Sequence, residues 1–339
     1  MRVLIVRTGA LGDVLHALPA VAALHRAQPA WEIDWAVDPR WASLLVDGEG
    51  RGPVVSRIVL AETKLWSQAP LSLATLQSLR GLRTTLRAES YDLVVDMQGT
   101  LRSAFIGRMA GAARLVGYSD PRERAAGWLY SQRVARSQPH VVEQGAALLA
   151  DACGIALEPA VVELPREPWA DQWAAELVAE RKVCVLAPGA GWGAKRWPPP
   201  RFGEVAQALR ALGFTCLVNA SRKDDALASE VVAASHGAAE MTVCNIAGLI
   251  ALLRRSSLLV GGDSGPLHLA AALGVPVVAL FGPTDPARNG PWGPGAKAVL
   301  RDAAALTSYK RSAEPDAGMA RLTVQQVIDA VRGLTSRQI

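Results

Sequence analysis

Short, continuously apolar runs alternate with helical patterns from one end of the chain to the other, and no other feature constrains the fold as much. In the first half, strands are predicted at 2–7, 32–37, 57–60, 93–96 and 114–117, with helices near 13–27, 71–89, 100–110 and 140–153. Runs that are apolar throughout, rather than at alternate positions, are those of parallel strands covered on both faces. The pattern pauses over 156–168, which holds Pro159, Pro165 and Pro168. It restarts with strands at 183–187, 215–219, 241–244, 258–260 and 276–281. Two such series imply an α/β chain of two doubly wound, Rossmann-like domains facing each other across a cleft. The expected domains are 1–156 and 169–339, joined by a linker at 157–168. A last helix at 323–334 can pack back on the amino-terminal domain, and 303–319 is a loop with little signal.

Composition narrows the class. A chain of 339 residues, 50% hydrophobic and 20% charged, can bury two sizeable cores, which excludes disorder, coiled coil and collagen. No window approaches the ~18 apolar residues of a spanning helix, and the amino terminus lacks the unbroken apolar core of a signal peptide. Cys153, Cys184, Cys216 and Cys244 lie far apart without a CxxC pair, so they read as reduced thiols of a cytoplasmic protein. Charge is concentrated. Residues 51–136 hold 13 Lys+Arg against 6 Asp+Glu, a net +7, whereas the whole chain (36 against 31) carries only +5. Such a patch suits an anionic partner: a phosphorylated substrate, a lipid head group or a nucleic acid.

Three turns follow strands and open helices. The first, RTGALGDVLHALPA (7–20), is neither GxGxxG nor GxxxxGK[ST]. Asp13 occupies the helix start where a phosphate would dock, so the site is built for a carboxylate, either as a cap or as a catalytic base. Gly9 and Gly12 leave bare backbone around it, and His16 lies on the same helix face. The second turn, APGAGWGAKRWPPPRF (187–202), offers Gly189, Ala190 and Gly191 as a backbone anion cradle, with Lys195 and Arg196 supplying charge. The third, LLVGGDSGPLHLAAALGVPVVALFGPTDP (258–286), is the most specific. Asp263, Ser264, Gly265 and Pro266 open an apolar helix whose free N–H groups suit a diphosphate, and His268 lies in its first turn. Lesser candidates are Lys64, the Asp96-Met97-Gln98-Gly99 turn, Arg122, Arg124, His140, and Asp224 or Asp225 after the strand at 215–219.

Taken together, GxLGDxLHxLPA, the DxQG turn, GAxWxxKRWP and GGDSGPLHLAAALGxPxxxLFGPTDP resemble glycosyltransferase family 9, the lipopolysaccharide heptosyltransferases, from residue 1 to about 295. The stretch DPRERAAGWLY (120–130) and the segment around His140 look closer to members that add the first heptose (heptosyltransferase I) than to those that add the second. The resemblance implies the glycosyltransferase B fold. It also implies inverting transfer of L-glycero-D-manno-heptose from ADP-heptose to a Kdo residue of a Kdo-lipid A type acceptor. Asp13 would then be the general base and Lys195 the second catalytic residue. Gly189, Ala190, Gly191, Arg196, Asp263, Ser264, Gly265, Pro266 and His268 would hold the donor, and Asp224 or Asp225 its ribose. Gly12, His16, Lys64, Gln98, Arg122, Arg124 and His140 would face the acceptor. No DxD motif offers a metal site, so no cofactor is expected and Mg²⁺ is expected to be dispensable. Peripheral contact with the cytoplasmic face of the inner membrane is implied, and no nucleic-acid partner. Three readings stay beside this one: another nucleotide-sugar or acceptor, including a second-heptose transferase; a nucleotide-sugar epimerase; and a non-catalytic nucleotide-sugar-binding protein. A nicotinamide oxidoreductase, suggested by Asp38 at the end of the second strand, conflicts with the carboxylate at the phosphate position.

Overall fold

The computed structural model describes residues 1–336. The chain divides into two compact units, one of Met1–Pro165 and one beginning at Arg166.

In the first unit β1 (Arg2–Val6), α1 (Leu11–Ala27), β2 (Glu32–Val37), β3 (Arg57–Leu60), α2 (Thr63–Gln68) and α3 (Leu73–Ala88) precede β4 (Leu93–Asp96). Then follow α4 (Leu101–Ala110), β5 (Arg114–Tyr118), β6 (Gln132–Val134) and α5 (Val141–Cys153). The six strands form one sheet in the order β3-β2-β1-β4-β5-β6, every pair parallel. Val3 to Val6 of β1 are fully buried, as continuous apolar strands under helices on both faces require. β1 lies between β2 and β4, so the strand order reverses there. The turns after β1 and β4 consequently open side by side at the carboxyl edge, where doubly wound sheets bind ligands.

The second unit repeats this plan with α6 (Pro168–Val178), β7 (Val183–Ala187), α7 (Pro199–Ala211), β8 (Thr215–Ala220), α8 (Ala226–Ala234) and β9 (Ala239–Val243). It continues with α9 (Ile246–Arg254), β10 (Leu258–Gly262), α10 (Gly265–Ala272), β11 (Val277–Phe281), α11 (Pro286–Asn289) and β12 (Lys297–Arg301). Two helices, α12 (Ala317–Arg321) and α13 (Val324–Thr335), close it. The order β12-β11-β10-β7-β8-β9 is again parallel throughout, with its reversal between β7 and β10. Gly261 pairs with Ala187, which sets the turns after these two strands next to each other.

Several elements depart from the sequence pattern. β6 and β12 were not expected: each is a short edge strand, and the five residues of β12 begin with a lysine. β9 begins two residues before the expected 241. The segment 303–319, expected to be a loop, ends in the short helix α12, which Asp316 caps by accepting from the Gly318 N–H at 2.8 Å. The last helix is a member of the second unit: Val327, Val331 and Leu334 lie in the same core as Trp197, Phe202 and Leu280. Trp197 is the largest anchor of that core. It meets Phe202 edge to face at 5.0 Å, and its indole N–H donates to the Leu322 carbonyl at 3.0 Å. Trp197→Ala is expected to lower the stability of the second unit by about 3–5 kcal/mol, measured by urea unfolding. A loss below about 1 kcal/mol would show that this core does not depend on the indole.

Candidate active site

In the second unit the turns after β7 and β10 meet through one carboxylate. Asp263 leaves the end of β10 with its side chain only 5% exposed. One oxygen accepts from Lys195 Nζ at 2.5 Å and the other bonds His268 Nε2 at 2.9 Å. Burial by itself raises the Asp263 carboxyl, but the His268 hydrogen bond and the charges of His268 and Lys195 outweigh it and hold the group well below the usual carboxylate range. Lys195 is brought here by a single 3-10 turn, Gly193–Lys195, and its ammonium also lies over the Trp192 ring at 4.1 Å. The packing leaves Gly193 no room for a side chain, because a Cβ would fall 1.6 Å from the Ala313 carbonyl oxygen.

Ser264 caps α10 by position, yet its hydroxyl has no hydrogen-bond partner among the described residues although the residue is only 9% exposed. Pro266 in the first turn suits a helix start, and the neighbouring N–H groups are those that every helix leaves unsatisfied. One strand over, the turn after β11 presents Thr284, 1% exposed and equally without a partner for its hydroxyl. The Arg196 Nε is a third buried donor with none. Buried polar atoms are ordinarily paired, so the open Ser264 hydroxyl beside the free N–H groups of a helix amino terminus has the chemistry that anion binding uses. Gly189 and Gly191 stand in open space on the β7 side, where a backbone cradle was expected. The two acidic ribose candidates differ. Asp225 is spent as the N-cap of α8, accepting from Ala228 N–H, whereas Asp224 is 79% exposed and pairs with Arg222 at 3.0 Å.

In the first unit Asp13 sits at the third position of α1, not at its N-cap, which is Ala10. Its Oδ2 accepts the Ala10 N–H at 3.1 Å and its Oδ1 pairs with Arg7 at 3.0 Å. The carboxylate remains 37% exposed, with acceptor capacity beyond these two contacts. His16 is buried one turn further on, its ring 6.0 Å from that of His140 and perpendicular to it. His140 also caps α5, with Nδ1 accepting the Val142 N–H. Gln98 turns inward, its carbonyl oxygen accepting both the N–H and the hydroxyl of Thr8, which ties the turn after β4 to that after β1. Beneath that turn lies Asp96, fully buried. It accepts from Gln98 N–H, Gly99 N–H, the Ser103 hydroxyl and the Tyr130 hydroxyl at 2.7–3.1 Å. Lys64, Arg122 and Arg124 are exposed at the same edge.

Two contributors were not singled out from the sequence. Arg7, the first letter of the glycine turn, holds Asp13 from one side and donates to the Met97 carbonyl on the other. Thr284 belongs to the GPTDP turn at 282–286. Its spacing gives no signal, because the hydroxyl matters only once β11 lies beside β10.

Two doubly wound units, each a six-stranded parallel sheet with glycine-containing turns at its carboxyl edge, have the architecture of a glycosyltransferase of the B fold. The sequence model of Glycosyltransferase family 9 (heptosyltransferase) matches residues 79–316, and the chain belongs to that family. It is similar to lipopolysaccharide heptosyltransferase 1 of Pseudomonas aeruginosa, 33% identical over 301 residues that cover 86% of this chain and 82% of that protein. Lipopolysaccharide heptosyltransferase 2 of Escherichia coli K12 is 26% identical, covering 98% of each chain. Among solved structures, the E. coli heptosyltransferase WaaC with ADP superposes with a TM-score of 0.79 at 24% identity, covering 98% of this chain and 99% of that one. A family 9 glycosyl transferase from Veillonella parvula gives 0.82 at 20% identity, covering 99% and 97%. These structures share the fold.

The unpartnered hydroxyls yield a discriminating test. Thr284→Val and Ser264→Ala remove no protein hydrogen bond, so thermal stability should stay level or rise slightly. ADP affinity, measured by calorimetry, should fall about tenfold to a hundredfold for each. Undiminished ADP binding in both variants would remove these hydroxyls from the site.

Proposed function

We propose that the enzyme transfers L-glycero-D-manno-heptose from ADP-heptose to a Kdo residue of the lipopolysaccharide inner core, with inversion, in the manner of a heptosyltransferase I. The observation that carries the donor half is the pair of buried, unpartnered hydroxyls, Ser264 at the start of α10 and Thr284 in the turn one strand over, with Lys195 bonded to the Asp263 that precedes that helix. A first rather than second heptose transfer is supported by the higher identity to a heptosyltransferase 1 (33%) than to a heptosyltransferase 2 (26%). The second-heptose reading draws on the fuller coverage of that other relative.

In this reading the second unit binds the donor. The diphosphate lies on the N–H groups of Gly265 and its neighbours, the hydroxyls of Ser264 and Thr284, and Lys195. Gly189, Ala190, Gly191 and Arg196 line the nucleotide, and Asp224 is the better placed of the two ribose candidates because Asp225 is engaged as a cap. Asp263 acts through Lys195 and His268, holding both in position. The first unit binds the acceptor near Gly12, His16, Gln98 and His140, with Lys64, Arg122 and Arg124 meeting its negative charge. The acceptor oxygen bonds to the anomeric carbon as the bond from that carbon to the diphosphate oxygen breaks. Its proton passes to Asp13, which Arg7 orients, and ADP leaves with the electron pair.

Diphosphate charge is met here by a lysine, hydroxyls and a helix start, so the proposed reaction needs no divalent metal. Enzyme stripped with EDTA should retain full turnover, and activity that vanished and returned with Mg²⁺ would overturn this part. A lipid-anchored acceptor places the enzyme at the cytoplasmic face of the inner membrane. No helix among the described residues is long and apolar enough to cross a membrane.

The decisive experiment measures ADP release from ADP-heptose with and without Kdo-lipid A, wild type beside Asp13→Asn. The asparagine can still accept the Ala10 N–H, so the helix start survives. Acceptor-dependent release should fall about 10²- to 10⁴-fold while ADP binding is retained. Release that persists in Asp13→Asn would remove the base, and ADP binding without release would redirect the search to another sugar.

A further inference from the structure

Large apolar side chains stand in solvent on one side of the first unit. Leu71 is 93% exposed, Trp128 81%, Leu73 76% and Phe105 51%. They lie on or beside α3, α4 and the turn after β5, elements that pack together and share one core. On α3, Leu73, Leu76, Arg80 and Arg83 recur at the three- and four-residue spacing that makes one stripe, on the side away from the buried Leu82 and Leu86. On α4 the exposed positions are Leu101, Arg102, Phe105 and Arg108, again one stripe. α4 follows β4 directly and α3 follows β3 by way of α2, so both lie on crossovers that leave the carboxyl edge of the sheet.

Three hydrogen bonds join the elements at that edge. The Trp66 indole on α2 donates to the Ser78 hydroxyl on α3, and the Arg102 guanidinium donates to the Thr63 carbonyl. The Leu101 N–H donates to Glu123, which fixes α4 to the turn that carries Trp128, and that turn packs along α4. Arg80, Arg83, Arg102 and Arg108 are all exposed. The ion pairs of this unit engage Arg2, Arg7, Arg40, Arg51, Arg57 and Arg136 instead.

We propose that this α3–α4 face docks on an anionic bilayer. Leu71, Leu73, Phe105 and Trp128 enter the boundary between head groups and acyl chains, while the interleaved arginines meet lipid phosphates. The mixture favours a bilayer over a protein partner. Neither α3 nor α4 carries an acidic residue, and their arginines alternate with exposed apolar side chains, so the guanidinium groups meet head-group phosphates while the apolar side chains enter below them. The inference deepens the acceptor half of the proposed function and rests on it for the reason to meet a membrane. The face begins at the sheet edge where Arg122 and Arg124 stand, so a lipid-anchored acceptor would reach the acceptor residues without leaving the bilayer.

The test is flotation of the full chain with vesicles of phosphatidylcholine, alone or mixed with phosphatidylglycerol and free of acceptor. Wild type should bind only the anionic vesicles. Phe105→Ser/Trp128→Ser and, separately, Arg80→Gln/Arg108→Gln should each weaken that binding by about tenfold or more. Both should keep wild-type ADP binding and wild-type transfer to a deacylated, soluble acceptor. Equal binding to neutral vesicles, or variants that float like wild type, would overturn the docking face. Vesicle binding without any transfer would leave the docking face standing and sink the proposed reaction instead, so the two failures are distinguishable.

Discussion

The candidate donor site depends on the carboxylate that Lys195 and His268 share. Removing Asp263 from water is costly unless both oxygens are engaged by charge-assisted bonds, and they are, one by each partner. Because these partners come from different turns, the same two bonds set the turn after β7 against the start of α10. The position of Lys195 is thus a consequence of Asp263, and the candidate donor site follows from where those turns are held. A neutral side chain at 263 would leave an ammonium ion largely buried beside Trp192 with nothing to balance it.

The segment after β12 completes this arrangement. Asp316 N–H donates to the Ala194 carbonyl, and Ala194 N–H to the Ser312 carbonyl, so the turn carrying Lys195 is clasped from outside. The Ser308 N–H and the Arg301 guanidinium hold the Pro283 and Gly282 carbonyls, which present Thr284. Met319, fully buried, packs so closely on Gly282 that a Cβ there would meet its side chain at 2.5 Å. The first unit uses the same device. Asp96 is buried beneath the turn after β4, where burial pushes its carboxyl up while four hydrogen bonds favour the charged form. Each unit anchors the turn at its strand reversal on a buried carboxylate.

Much of this was legible in the residues. Continuous apolar runs marked most strands, and the three glycine-containing turns after strands contained Asp13, Lys195, Ser264 and His268. What stayed hidden had one of two causes. β6, β12 and α12 are too short for any period to emerge. Roles such as those of Arg7, Thr284 and the 303–316 segment arise from contacts across long stretches of chain, which local spacing does not encode. Asp225 illustrates the reverse: its identity suited ribose binding, but in the fold its oxygen caps α8.

The sequence by itself determined the two βαβ series, the positions of their turns and the chemical character of each turn, because backbone period and side-chain type are local properties. The tertiary structure alone decided which groups are paired and which remain unsatisfied. Asp263 is consumed by Lys195 and His268, while Ser264 and Thr284 keep buried hydroxyls without a protein partner. That distinction is set by strand order. Parallel neighbours far apart in the chain bring their carboxyl-edge turns together, and only there does a polar atom either find its partner or remain open for a ligand.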